Sequence, residues 1–256
     1  MNVNVYLRLT YRNLRANLDP ISLFFELIFP VFFIFGQGPA LSGSVAPIDI
    51  GGGKLISYAL FLAAGAVTLT VINSGTNAGT QLWYDRKNGM FEQVLMGPFT
   101  RAQYLLSIVF ATLMIGIASS LLVFALALPV LGGGVAMGAE GIALTGISLF
   151  FGTLFFGGLA LALSVALRSS ETFQIVSQFA FFIFLFTSTI FFPANNAPEI
   201  IKAISLLNPL TYATDIFRAG LFGSSTPFLS VEIVALAAEA VAMFFVAVLS
   251  FRRIRL

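Results

Sequence analysis

The run "LISYALFLAAGAVTLTVINSGTNAGTQL", Leu55 to Leu82, holds 28 residues without a charged side chain. A helix needs about 20 predominantly apolar residues to cross the hydrocarbon of a bilayer, so this run reads as a membrane span. Similar runs recur on both sides of it. Pro20–Gly36, Ala102–Leu131, Gly141–Leu167, Thr172–Phe192 and Phe228–Phe251 bring the predicted total to six spans. Composition agrees: of 256 residues 58% are hydrophobic and 9% charged, where about 25% charged is usual for soluble domains. The class predicted is an all-α, multi-pass membrane protein. Cys and His are both absent, which excludes disulfides, the usual haem and zinc ligands and every nucleophile–His pair. The only Gly-Lys pair, Gly53-Lys54, is followed by Leu55 and lacks the spaced glycine of a P-loop, so no nucleotide-binding loop is read here.

Residues 2–18 form the one clearly amphipathic segment. Leu7, Tyr11, Leu14 and Leu18 recur at helical spacing beside a stripe of Arg8, Arg12 and Arg15. That pattern predicts a helix in the headgroup plane with its arginines facing anionic lipid. Cleavage of this region as a signal peptide is not expected, because it would remove a span and separate the two ends. With the N-terminus inside, ten basic residues (Arg8, Arg12, Arg15, Arg86, Lys87, Arg101, Arg168, Arg252, Arg253, Arg255) fall on one side. Three (Lys54, Lys202, Arg218) fall on the other. This asymmetry predicts cytoplasmic termini. The stretch Pro193–Gly223, with three prolines and four charges, is then external and predicts short helices dipping into one interface rather than a span.

After the opening run comes "YDRKNGMFEQVLMGPFTR", Tyr84–Arg101, with five charged residues in eighteen. Gly89 and Pro98 bracket a helix-length piece with Phe91, Val94 and Leu95 on one side. A solvated turn that only fixes topology is the plain reading. The length, the acids and the apolar residues favour a short interfacial helix presenting Met90, Phe91 and Met96 to a cytoplasmic partner.

This stretch resembles the first cytoplasmic loop of ABC-2-type transporter permeases, the family of daunorubicin-resistance and nodulation-type exporters. Asp85, Arg86, Gly89, Glu92, Leu95, Pro98 and Arg101 stand at matching positions, and Lys87 departs from the acid usual there. A second match is "LLNPLTYATDIFRAGLFG", where Asn208, Pro209, Leu210, Tyr212, Asp215 and Arg218 carry the family's Asn-Pro-Leu signature. The resemblance covers essentially the whole chain and implies a single transmembrane domain over residues 1–256. Within it, 1–19 would be an interfacial elbow helix, 20–192 spans one to five, about 84–100 a coupling helix, 193–227 an external gate and 228–256 the sixth span and a basic tail. The chain would be the non-catalytic permease of an ATP-driven exporter in the cell membrane. A separate ATPase dimer, carrying ATP and Mg, would grip Asp85, Arg86, Lys87, Gly89, Phe91, Glu92, Pro98 and Arg101. A second permease copy and membrane lipids would complete the assembly, with no cofactor or metal on this chain and no nucleic-acid partner. Asn208, Pro209, Tyr212, Asp215 and Arg218 would form the external gate. An amphipathic, lipid-like or drug substrate is the reading adopted.

Ionisable groups within spans are functional candidates because they cost roughly 2.5–3.5 kcal/mol to insert. Glu26 and Glu239 are two; each either pairs inside the bundle or lines a path or subunit contact, and an ion- or proton-coupled carrier would use them. Asn73, Asn77 and Gln81, spaced by four, give the second span a polar side that lines the route or hydrogen-bonds across a dimer. Gly75 and Gly79 have the spacing of close helix approach. The phenylalanines of the fifth span are read as packing or facing lipid.

Overall fold

Helix α4 (Tyr58–Lys87) begins where Ser57 Oγ accepts from the Leu60 amide, and it is enclosed along most of its length. The computed structural model describes residues 3–18, 20–51, 53–97, 99–167, 169–193, 198–224 and 228–252. Before α4 come α1 (Val3–Asn17) and α2 (Pro20–Phe32). The chain continues without a break through a π-helical turn (Phe33–Gln37) into α3 (Gly38–Ser42). After α4 follow α5 (Met90–Met96), α6 (Arg101–Leu131), α7 (Ala139–Ala166), α8 (Ser170–Phe186), α9 (Glu199–Ser205), α10 (Pro209–Phe222) and α11 (Leu229–Arg252). Among the described residues α4, α6, α7 and α11 are the four helices long and apolar enough to cross a membrane.

Residues 20–42 and 170–186 are the two shorter apolar segments, and each departs from its expected bounds for a local reason. Pro30 lies inside α2 and has no N–H for the carbonyl of Glu26, four residues back. That carbonyl is met instead by Asn73 Nδ2 at 3.4 Å, and the π-helical turn follows three residues after the proline. Helix α8 ends at Phe186, short of Phe192, and carbonyls in its last turn and beyond its end are taken by α10 and its cap residue. Asn208 Nδ2 donates to the Phe184 carbonyl at 2.8 Å, and Arg218 donates to those of Thr189 and Ile190 at 2.8 and 3.0 Å. A further departure from a purely helical chain is a minimal ladder, β1 (Ile48–Asp49) with β2 (Leu55–Ile56), antiparallel. It closes through Gly51 and Gly53, both at positive φ, where glycine carries no steric penalty.

Helices α4 and α7 cross with almost no side chain between them. A Cβ built on Gly75 would lie 2.5 Å from Phe156 Cβ, and one on Gly79 would lie 2.5 Å from the Ala160 carbonyl oxygen. The Gly75/Gly79 spacing therefore serves packing within one chain. Gly158 lets α7 approach α11 less closely, a Cβ there lying 3.1 Å from the Met243 backbone. At one end of the bundle Leu9, Leu82, Phe91, Val94, Tyr104 and Phe251 form a common core, gathering α1, α5 and the adjoining ends of α4, α6 and α11. At the opposite end the ladder packs with the start of α4 and with α10. There Lys54 Nζ donates to the Phe222 carbonyl, a cation at the C-terminal end of α10.

Candidate functional site

The α4–α5 junction is a tight turn. Gly89 sits at φ 69°, in the left-handed region, and starts α5. Phe91 and Val94 then point into the protein, Phe91 against Tyr104 (ring centroids 5.2 Å) and Phe251 (5.6 Å). Met90, Glu92, Gln93 and Met96 lie on the exposed face, Met96 80% exposed. The expectation that Phe91 joins the methionines on the outer face is corrected here: it is fully buried. Its hydrophobic neighbours on α6 and α11 are supplied by tertiary structure, which decides the face a seven-residue helix turns inward. Thr100 and Gln103 close a reciprocal capping box that starts α6, with Arg101 at its first position. Pro98 lies outside the described residues.

The charged residues before α5 divide between inner and outer roles. Asp85 accepts from Arg12 Nη2 at 2.5 Å and from the Tyr104 hydroxyl at 2.6 Å. Arg86 Nη1 donates to the Ser164 carbonyl at 2.8 Å, in the last turn of α7. Lys87 is exposed, its ammonium 5.5 Å from the centre of the Trp83 ring. Beside Asp85, Asn13 Nδ2 donates to Ser107 Oγ (2.9 Å) while Asn13 Oδ1 accepts from Gln81 Nε2 (2.8 Å). Asn17 Nδ2 donates to Gln81 Oε1 at 2.6 Å. Gln81 is thus separated from Asn73 and Asn77, with which its spacing grouped it, because the asparagines of α1 occupy it. Asn13, Asn17 and Tyr104 were not singled out in the sequence, although Asn13 and Asn17 share one face of an amphipathic helix. Asp85→Asn is expected to loosen α1, since hydrogen bonds to charged groups contribute about 1.5–3 kcal/mol. Limited trypsinolysis should then cut after Arg12 and Arg15 roughly tenfold faster; an unchanged cutting rate would show that Asp85 does not hold the helix.

Asn73 and Asn77 belong to a second polar group. Glu26 is buried and accepts from Ser74 Oγ at 2.9 Å and Asn77 Nδ2 at 3.3 Å. A cavity of about 310 Å³ opens beside them, with Gln174, Ser177 and Gln178 of α8 on the polar side and Phe29, Phe181 and Phe182 on the apolar side. The α8 residues were missed, although their i, i+3, i+4 spacing was readable beneath the phenylalanines. Glu239 does not join this group. Its Oε2 is buried with no hydrogen-bond partner among the described residues, and Glu239 and Glu232 both act electrostatically on Tyr212.

The Asn-Pro-Leu motif builds α10 and fixes its neighbours. Asn208 caps the helix, accepting from the Leu210 amide at 2.9 Å, and Pro209 takes the first position, where a missing N–H costs nothing. Burial, with the charges of Glu239 and Glu232, raises the Tyr212 hydroxyl above its ordinary pKa; it donates to the Leu206 carbonyl. Arg218 is 3% exposed, stacks on the Phe61 ring at 3.5 Å and donates to the Phe61 carbonyl at 3.0 Å. Asp215 accepts from Thr189 Oγ1 at 2.8 Å and from Arg218 at 3.3 Å.

The two sequence motifs, Tyr84–Arg101 and Asn208–Arg218, lie within residues 5–222, which match the profile of the ABC-2 type transporter family. The chain belongs to that family. Nodulation protein J of Rhizobium meliloti (strain 1021) is 25% identical over 248 residues, covering 91% of this chain and 86% of that protein. The putative transport permeases ycf38 of Pyropia yezoensis and Porphyra purpurea are 29% and 27% identical, over 62% and 63% of this chain. This chain's matches span about half the length of those two, 54% and 55%. This member of the ABC-2 transporter family is therefore a multi-pass membrane protein. The matched region takes in α1 to α10, including both motifs; α11 lies beyond it.

Proposed function

We propose that this permease is the membrane half of an ATP-driven exporter and that α5 is the helix its ATPase grips. The observation carrying this reading is the two-sidedness of α5. Phe91 and Val94 lock it into the core shared by α1, α4, α6 and α11, while Met90, Glu92, Gln93 and Met96 stand free to meet a partner. A push on such a helix moves spans rather than a loop. Residues 20–42 form an unbroken helical path of about 34 Å at 1.5 Å per residue. With α8 this supports six crossings, both termini and α5 in the cytoplasm, and the cell membrane as location. The α9–α10 segment then faces outside as a re-entrant gate.

In this reading the ATP and Mg sit on two separate ATPase subunits, paired with two permease copies. The cavity of Glu26, Asn73, Asn77, Gln174 and Gln178 beside Phe29 and Phe181 supports an amphipathic or lipid-like substrate, with a polar wall for one end and aromatic rings for the other. A proton-coupled carrier is the competing reading, and one experiment separates them. Reconstituted with its ATPase, the permease should give substrate-stimulated ATP hydrolysis. Glu92→Arg, on an exposed position, should weaken ATPase capture roughly thirtyfold, the scale of a 2 kcal/mol hot spot. Transport by the permease alone under a proton gradient, abolished by Glu26→Gln, would overturn the exporter reading.

A further inference from the structure

An apolar groove of about 820 Å³ remains open between α1 and the bundle. Leu7, Tyr11 and Leu14 of α1 form one wall; Phe110, Leu113 and Met114 of α6 form the other. The polar joints explain why it does not close. Asn13 to Ser107 and Arg12 to Asp85 fix the height of α1 on one side, and Leu9 alone of its leucines is buried. The opposite apolar side is held away from α6, leaving Leu7 61%, Tyr11 64% and Phe110 59% exposed. Such a concavity forfeits dispersion contacts unless something fills it.

Depth and charge identify the occupant. From Leu106 to Met114 the α6 wall rises about 12 Å, most of one leaflet's half of a hydrocarbon core about 30 Å thick. An acyl chain entering beside α1 runs along that wall. Arg8 and Arg15, two turns apart, are exposed and flank Tyr11, and neither has a partner among the described residues. Arg12 is neutralised by Asp85, and α1 carries no acidic residue. The rim is therefore cationic with nothing in the helix to balance it.

We propose that this groove binds one anionic phospholipid from the leaflet that holds α1, its acyl chains along Phe110, Leu113 and Met114 and its phosphate at Arg8 and Arg15. The site requires only that α1 lie at a membrane surface, so it stands whether or not an ATPase grips α5. The bound lipid fills the space under α1 and ties that helix to α6 where the polar network does not reach.

Reporter quenching tests it on the full chain. Trp83 is the only tryptophan, so Trp83→Phe with Leu113→Trp places one fluorophore in the groove; Phe110→Trp, at an exposed position, is the second reporter should the first fold poorly. Vesicles carry either brominated phosphatidylglycerol or brominated phosphatidylcholine. Half-maximal quenching is expected at roughly tenfold lower mole fraction of the anionic lipid, the scale of basic residues at a charged surface. The preference should shrink as salt is raised. Arg8→Gln with Arg15→Gln should abolish it while leaving quenching by both lipids. Equal quenching by the two lipids in the parent would reduce the groove to ordinary lipid contact and overturn the proposal. So would a reporter shielded from both lipids, which would place a protein segment or a second copy in the groove.

Discussion

Gly79→Leu is expected to abolish recovery of folded protein, while Gly146→Leu leaves it at the parent level. Both glycines lie inside long helices, so the propensity gain on replacing Gly is similar, under 1 kcal/mol. They differ in what the new side chain meets. A Cβ at Gly79 would stand 2.5 Å from the Ala160 carbonyl oxygen and 2.7 Å from its carbon, and the neighbouring Gly75 faces Phe156 just as closely. At Gly146 nothing lies within 4 Å. Overpacking usually costs 1–3 kcal/mol because side chains yield; here backbone must yield, so a cost of about 3 kcal/mol or more is expected. Separating α4 from α7 also opens the centre of the bundle, since α4 is its most enclosed helix. Yield, monodispersity and thermal unfolding of the detergent-purified variants decide it. Folded Gly79→Leu protein with a normal melting point but a changed oligomeric state would mean that the pair serves an interface between copies.

How much of this was legible in sequence depended on whether the deciding contact was local. The four long spans were readable because run length alone determines them. The true extent of the first and fifth was not. The first turns π-helical after Phe32 and the fifth stops at Phe186, and the carbonyls freed nearby are met by Asn73, Asn208 and Arg218, which lie far away in the chain. Asp85 and Glu92 looked equivalent, two acids in a charged loop. One faces Arg12 and Tyr104 and the other faces outward, a distinction made by α1 and α6. Gln81 shows the same limit, since helical spacing placed it correctly on the Asn73/Asn77 side and said nothing of Asn13 and Asn17. Hydropathy was least informative at α10, where Asp215 and Arg218 mark the segment as less oily than a span and do not reveal that Arg218 is buried. The burial of Arg218 is possible because its charge meets the half-buried Asp215 and the carbonyls of Phe61, Thr189 and Ile190.

That burial makes Arg218→Met the second substitution expected to have a large effect. Methionine fills much of the volume and can lie on Phe61, so the loss isolates the guanidinium's hydrogen bonds. Three backbone carbonyls, of Phe61, Thr189 and Ile190, lose their donor, and Asp215 keeps its carboxylate with only Thr189 to meet it. Removing one partner of a buried pair typically costs 3–5 kcal/mol, chiefly because the other charge is stranded; with the Asp215 side chain 29% exposed to solvent, the low end, about 3 kcal/mol, is expected. Arg218→Lys should recover little, since a single ammonium does not reproduce a planar fork directed at three carbonyls. Asp215→Asn in the Arg218→Met background should restore part of the loss by removing the stranded charge, giving a coupling between the two sites of 0.5–3 kcal/mol in a double-mutant cycle. Thermal unfolding of the four proteins measures it. A gate residue with no structural duty would behave differently: Arg218→Met would melt with the parent, and only transport would fall. Strict additivity of the two substitutions would likewise show that Arg218 holds α8 and α4 through the carbonyls alone, with Asp215 idle.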